Sequence, residues 1–273
     1  MFRFRYTKHP RIAVLRLDGI IEESDEESLP RRVSMALEDV EHIKAKALVM
    51  RVNSPGGTVG ATQEIYDAIL KFRTQTQMPI IASMGDVAAS GGVYVSMAAE
   101  RILANAGTVT GSIGVIIRSR NLSQLFSKVG VTAEVVKSGE FKDTPAPYRN
   151  LTDSERSMLQ EMIDDSYEQF VEAIMRGRNL APAKVRQFAD GRVMTGRQAL
   201  LYGLVDELGG FDRAIEVAKQ MAHITVEPYV IEVGHVKPKF WERMTRRFIG
   251  GFGIHSEFST RWDGIPLYLM PRY

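Results

Sequence analysis

At 273 residues and 30.6 kDa the chain has room for one large α/β domain or two small ones. With 44% hydrophobic and 25% charged residues it is an ordinary globular sequence, neither disordered nor fibrous. The formal charge of +2 gives no ground for a nucleic-acid partner, and zero cysteines with five scattered histidines (His9, His42, His223, His235, His255) exclude a zinc cluster, a disulfide framework and a thiol nucleophile.

The N-terminal MFRFRYTKHPRIAVLRLDG is positively charged, yet it passes directly into strand alternation without the apolar core and small-residue cleavage site of a secretion signal. Ile12 to Leu17 reads as a first strand, closed by Asp18 and Gly19. Apolar residues recur at helical spacing from Ser28 to His42, and Ala45 to Val52 is an apolar run suited to a strand buried on both faces. Behind NSPGG, Val59, Ile65, Ile69 and Phe72 again keep helical spacing. Pro79 to Ser83 begins another strand, and Ser90 to Ala99 reads as a helix. Strand then helix, repeated, predicts a parallel or mostly parallel sheet with right-handed crossovers.

Beyond Arg101 the pattern shortens to β pieces in RILANA, TGSIGVII and TAEVVKSG, with a helix over Leu122 to Val129. A long amphipathic helix follows from Thr152 to Arg178, its start marked by LTDSE, in which Thr152 and Glu155 form a capping box. Shorter helices are expected at Pro182 to Ala189, Thr195 to Tyr202 and Phe211 to Gln220, punctuated by Gly203, Gly209 and Gly210. The C-terminal VKPKFWERMTRRFIGGFG is basic and aromatic, with Trp241, Met244, Phe248 and Ile249 as its apolar side. Packing on its own domain or on a neighbouring subunit is the plain reading, and peripheral contact with a membrane surface is the other. The final PLYLMPRY is too apolar for a solvated tail. No stretch reaches the roughly 18 apolar residues of a membrane span. As given, the chain reads as soluble, cytoplasmic or peripheral to the membrane, either working without an anchor or having lost one.

NSPGG puts Gly56 and Gly57 at a strand end, where a main chain without Cβ atoms turns sharply and points amides into a cleft. No GxxxxGK[ST] or GxGxxG surrounds it, which argues against a nucleotide site. Ser90, in DVAASGGVYV, is either a helix cap or a nucleophile beside the Gly91 amide, which is suited to holding an oxyanion. SGG is not the GxSxG elbow of the α/β-hydrolases. A Ser-His-Asp triad is disfavoured, since His42 precedes Lys46 to Met50, read as buried, and the later histidines lie in or near the C-terminal region. A lysine serves as base when burial in a dry site lowers its pKa from about 10.4. Lys142 follows a strand-like run in TAEVVKSGEFKD, beside Phe141, although Asp143 next to it offers an ordinary solvated ion pair instead.

IASMGDVAASGGVYVSMAAERILANAGTVTGSIGV resembles the core signature of the signal peptide peptidase SppA family, the serine–lysine peptidases of family S49. NSPGGTV before it, and VKSGEFKD and ADGRVMTGRQALLYGLVDELGG after it, match in the family's order, so the resemblance runs from about Ile12 to Lys219. It implies a ClpP/crotonase-like spiral of ββα units, an α/β fold with a helical C-terminal part. It also implies Ser90 as nucleophile, Lys142 as general base, Ser112 as the residue orienting the lysine amine, and Gly57 and Gly91 as the oxyanion hole. The family pattern usually has a tyrosine where Phe141 stands, and often a glycine soon after the lysine, where this chain has Thr144 and Pro145. Many members begin with a membrane segment, and its lack here bears on the signal-peptide substrate more than on the chemistry.

The expected function is serine endopeptidase activity through a Ser-Lys dyad on signal-peptide remnants or other unfolded, hydrophobic peptides, with small or hydrophobic residues beside the scissile bond. No metal and no organic cofactor is implied. The short length resembles the single-copy form, a homo-oligomer that assembles its sites from neighbouring subunits. Residues 1–235 are read as the peptidase domain and 236–273 as a C-terminal extension. Two rival readings share the fold: a crotonase-like acyl-CoA enzyme, and a non-catalytic scaffold of a membrane protease system.

Overall fold

The computed structural model describes residues 9–24, 28–234 and 267–269. These residues form two compact units, one of residues 9–24, 28–114, 169–234 and 268–269 and one of residues 115–168 and 267. The basic, aromatic segment with Trp241, Met244, Phe248 and Ile249 lies outside the described residues. Among the described residues no helix is long and apolar enough to cross a membrane.

The first unit is built on β1 (Arg11–Asp18), α1 (Leu29–His42), β2 (Ala47–Ser54), β3 (Gly56–Thr58), α2 (Val59–Thr76), β4 (Ile80–Ala89), α3 (Gly91–Ser96), β5 (Arg101–Ala104) and β6 (Val109–Gly111). In the second unit α4 (Ser123–Lys128) precedes the start of α5 (Asp153–Arg178). The first unit continues with α6 (Pro182–Arg186), β7 (Val193–Thr195), α7 (Gly196–Tyr202), β8 (Glu207–Leu208), α8 (Phe211–Met221) and β9 (Tyr229–Val233). The last described element is β10 (Leu267–Leu269).

The main sheet runs in the order β7-β6-β4-β2-β1-β9, with β5 pairing β4 and β8. Every pairing is parallel except that of β6 with β7. Central strands of such a sheet are covered on both faces, and β1, β2 and β4 are accordingly mostly apolar and mostly buried. Ile12 and Val14 of β1 and Ala47 and Val49 of β2 face Ala214, Val217 and Ala218 of α8 in one core cluster. Each fully buried Val, Leu or Ile side chain contributes about 1.5–3 kcal/mol against chain entropy. An ion pair ties the far side of the sheet together: Arg178 Nη1 and Nη2 donate to both Asp206 oxygens at 2.9 and 2.7 Å, and Asp206 also accepts the Ile102 amide at 2.7 Å.

Several boundaries differ from expectation. The strand from Ile80 continues to Ala89, since its later half gains β6 as a partner. The helix after Ser90 ends at Ser96. Of TGSIGVII only Thr110 and Gly111 are strand, at the end of β6, and Ile116 makes an isolated bridge with Leu267. Lys46 is exposed, and β2 begins at Ala47. TAEVVKSG is not a strand: it has no ladder partner among the described residues, and Val135 and Val136 are exposed. The capping box of α5 does form, with Thr152 N donating to Glu155 Oε2 at 2.8 Å and Glu155 N to Thr152 Oγ1 at 3.2 Å.

Candidate active site

Strand β4 ends at Ala89, and Ser90 turns the chain into α3 with φ 53° and ψ −114°. A residue with a Cβ seldom takes this backbone, so neighbours must hold it. The Ser90 amide donates to the Gly111 carbonyl of β6 at 2.8 Å, and the Ser90 carbonyl accepts from the Tyr94 amide at 3.0 Å. Behind the turn, Tyr94 stacks on Tyr268 at 5.2 Å and packs on Phe170 at 5.1 Å, with all three rings buried. Burial pushes the Tyr94 and Tyr66 hydroxyls above their ordinary pKa.

Ser90 itself is 1% exposed, and its Oγ has no hydrogen-bond partner among the described residues. The side chain makes no cap to α3, so the helix-cap reading of this serine does not describe it. An unpaired buried hydroxyl costs about 1–3 kcal/mol.

The glycine backbone that follows Ser90 packs closely on β3. A Cβ on Gly91 would lie 3.2 Å from the Gly57 nitrogen and 2.8 Å from Thr62 Oγ1. One on Gly56, whose φ is +102°, would lie 2.8 Å from the Gly91 nitrogen and 1.9 Å from the Tyr268 carbonyl oxygen. One on Gly57 would lie 1.7 Å from the Ile21 carbonyl oxygen. Strand β3 and the start of α3 therefore approach more closely than side chains allow, which brings the amides of Gly57 and Gly91 near each other. Ser112 is also buried and left-handed, with φ 51°, and its amide donates to the Arg192 carbonyl at 2.7 Å. It directly follows Gly111, whose carbonyl holds the Ser90 amide. The first unit thus brings together Ser90, Gly57, Gly91 and the chain at Ser112.

Lys142 belongs to the second unit, in a turn where its amide donates to the Gly139 carbonyl at 3.2 Å. Its side chain is exposed and makes no hydrogen bond or ion pair with the described residues. Phe141 is itself 40% exposed and does not wall the lysine off from solvent. Nor does Asp143 form the ordinary pair with Lys142: it bonds Lys137, Tyr148 and Arg149 instead. Sequence reasoning missed Thr62, whose Oγ1 donates to the Thr58 carbonyl at 2.7 Å against Gly91, and Tyr268, far away in the chain. Neither lies in a spacing that announces it.

The model of Peptidase family S49 matches residues 72–225. A putative protease of Synechocystis, slr0021, is 42% identical over 97% of this chain and 91% of its own length. The chain belongs to peptidase family S49. A putative signal peptide peptidase SppA of Enterococcus faecium is 35% identical over 79% of this chain and 64% of its own. Membership of S49 carries the serine-type peptidase class with it. The fold is ClpP-like: the Clp protease model matches residues 20–111, and ClpP1 of Listeria monocytogenes superposes with a TM-score of 0.50 at 17% identity, covering 74% of this chain and 94% of that one.

Proposed function

We propose that this S49 chain is a serine endopeptidase in which Ser90 is the nucleophile, Lys142 the general base, Ser112 the residue that orients the lysine amine, and Gly57 and Gly91 the oxyanion hole. The observation that carries the proposal is the Ser90 hydroxyl: buried, unpaired, and on a left-handed turn that leads directly into Gly91, whose backbone packs closely on that of Gly57. A structural serine gains nothing from that state, whereas a nucleophile must keep its lone pairs available.

In the proposed reaction neutral Lys142 Nζ takes the Ser90 proton as Oγ bonds to the scissile carbonyl carbon. The carbonyl oxygen, now an oxyanion, accepts from the two glycine amides. The C–N bond then breaks as the lysine returns its proton to the leaving amine, leaving an ester on Ser90. Water, deprotonated by Lys142, attacks that ester, and the C–O bond to Ser90 breaks with the proton going back to Oγ. The substrates fitting a site of Ala88, Ala89, Gly91 and Gly92 are unfolded peptides with small or hydrophobic residues beside the scissile bond, signal-peptide remnants among them. Residues 1–235 form the peptidase domain in this proposal, and 236–273 the extension whose β10 pairs with β3.

A fluorophosphonate probe with mass spectrometry tests this. Wild type is expected to carry the adduct on Ser90, with Ser90→Ala and Lys142→Ala folded but below about 1% of wild-type peptide turnover. Because only neutral lysine accepts a proton, kcat/KM is expected to rise with pH. An adduct on Ser112, an unlabelled protein, or peak activity near pH 5 defeats the assignment, and an unlabelled protein returns the acyl-CoA and scaffold readings.

A further inference from the structure

The charged neighbours of Lys142 are engaged in one network within the second unit. Lys137 Nζ donates to Asp143 Oδ1 at 2.7 Å, and Tyr148 Oη donates to Asp143 Oδ2 at 2.6 Å. Arg149 donates to both oxygens of the same carboxylate, from Nη2 at 2.8 Å and from Nε at 3.3 Å. The other edge of that guanidinium donates to both oxygens of Glu155, from Nη1 at 2.7 Å and from Nη2 at 2.6 Å. Glu155, only 1% exposed, also accepts from Thr144 Oγ1 and from the Thr152 amide that starts α5. Ser154 Oγ donates to Glu140 Oε1 at 2.9 Å. Residues on both sides of Lys142 are thus tied to the first turn of α5, and Arg149 is the member that spans the two carboxylates.

We infer that Arg149 is a positioning residue for Lys142: its guanidinium pins the lysine loop to the capped start of α5 and keeps Asp143 engaged away from the lysine amine. The inference rests on the proposed role of Lys142 as base. It follows from the chemistry of the donor, since a planar fork makes two hydrogen bonds to each of two carboxylates and an ammonium, with three donors, cannot. It also accounts for a lysine that stands next to an aspartate and is not paired with it. An aspartate released toward the amine would favour the charged lysine, the form that cannot accept a proton.

The test is steady-state kinetics on a fluorogenic peptide amide containing alanine and leucine, run from about pH 6 to pH 10. Arg149→Ala is expected to lower kcat about 10- to 100-fold with KM within about threefold, because the base is displaced while the peptide cleft is not. The rising limb of its pH profile is expected to move about one unit to higher pH, since Asp143 loses one of the two cations that engage it and a nearby positive charge disappears. The other titratable groups around the loop, Lys137, Glu140, Tyr148 and Glu155, are kept in this variant. In Arg149→Ala/Asp143→Asn the limb is expected to return to its wild-type position while kcat stays low. Arg149→Lys is expected to recover part of kcat. Partial unfolding lowers the apparent kcat but leaves the limb where it was, so the limb separates positioning from a general structural loss. Wild-type kcat in Arg149→Ala, or a fall in kcat with an unmoved limb, overturns the inference. If Lys142→Ala is inactive and Arg149→Ala unchanged, the inference alone falls; if Lys142→Ala retains activity, the dyad falls first and takes the inference with it.

Discussion

Ser90 and Ser112 both hold left-handed backbone without being glycine, at φ 53° and 51°. Each such residue costs about 1–3 kcal/mol and persists only where its surroundings fix it. The fixing contacts are backbone to backbone, Ser90 to Gly111 and Ser112 to Arg192, so they are insensitive to side-chain identity and invisible in the sequence. The glycines were legible, because NSPGG and SGG announce a close approach, but not what they approach. Gly57→Ala is expected to be severe for that reason: its Cβ would meet the Ile21 carbonyl oxygen at 1.7 Å, so β3 must move and the Gly57 amide with it. Loss of one oxyanion donor is worth about 100- to 1,000-fold in kcat. Gly60→Ala, in the first turn of α2 with nothing within 4 Å of the new Cβ, is the control and is expected to leave activity intact. Acylation rates measured with the probe check both, and a Gly57→Ala enzyme of wild-type rate removes this glycine from the oxyanion hole.

At the scale of elements, acid is expected to release the start of α5 before the sheet. Asp143 is held below the ordinary carboxylate range by hydrogen bonds from Lys137, Tyr148 and Arg149, and Glu155 by those from Arg149, Thr144 and the Thr152 amide. Depressed carboxylates add stability at pH values above about 4, where unfolded carboxylates are also ionised, and lose it as the pH falls through their lower folded values. Hydrogen exchange is expected to show protection of Glu155 to Leu159 falling below about pH 3 while β2 stays protected. Equal loss in both would mean that the network does not hold the helix start. Such a network was not readable from sequence, because Asp143, Arg149 and Glu155 meet only once the loop has folded. The elements that were readable are those fixed by local physics: β2 as an apolar run buried on both faces, α5 by its capping box, α2 by apolar spacing. β3, β7 and β10, three residues each, owe their existence to partners remote in sequence. TAEVV misled for the converse reason, having strand composition and no strand to pair with among the described residues.

For the whole molecule, that unpaired segment decides what assembly to expect. Val131, Val135 and Val136 are 51%, 46% and 102% exposed, and Leu125, Val129 and Phe141 on neighbouring stretches of chain are exposed as well. Apolar side chains gathered on an unpaired extended segment are what an interface covers. On that ground a closed homo-oligomer is the expected state, with sites facing an enclosed cavity that would admit unfolded peptides and exclude folded proteins by size. Val135→Glu/Val136→Glu is expected to split the particle, since burying two carboxylates without partners is costly, while leaving the sheet of the first unit intact. Light scattering gives the particle mass, and mixing Ser90→Ala with Lys142→Ala asks whether subunits share sites. If each site draws its serine and lysine from different copies, the two inactive variants regain part of the wild-type turnover when refolded together, because some sites then receive both intact residues. No regain, with a large particle still present, assigns both residues of a site to one chain. A fully active particle near the 30.6 kDa chain mass at micromolar concentration rules out the assembly and the size filter together.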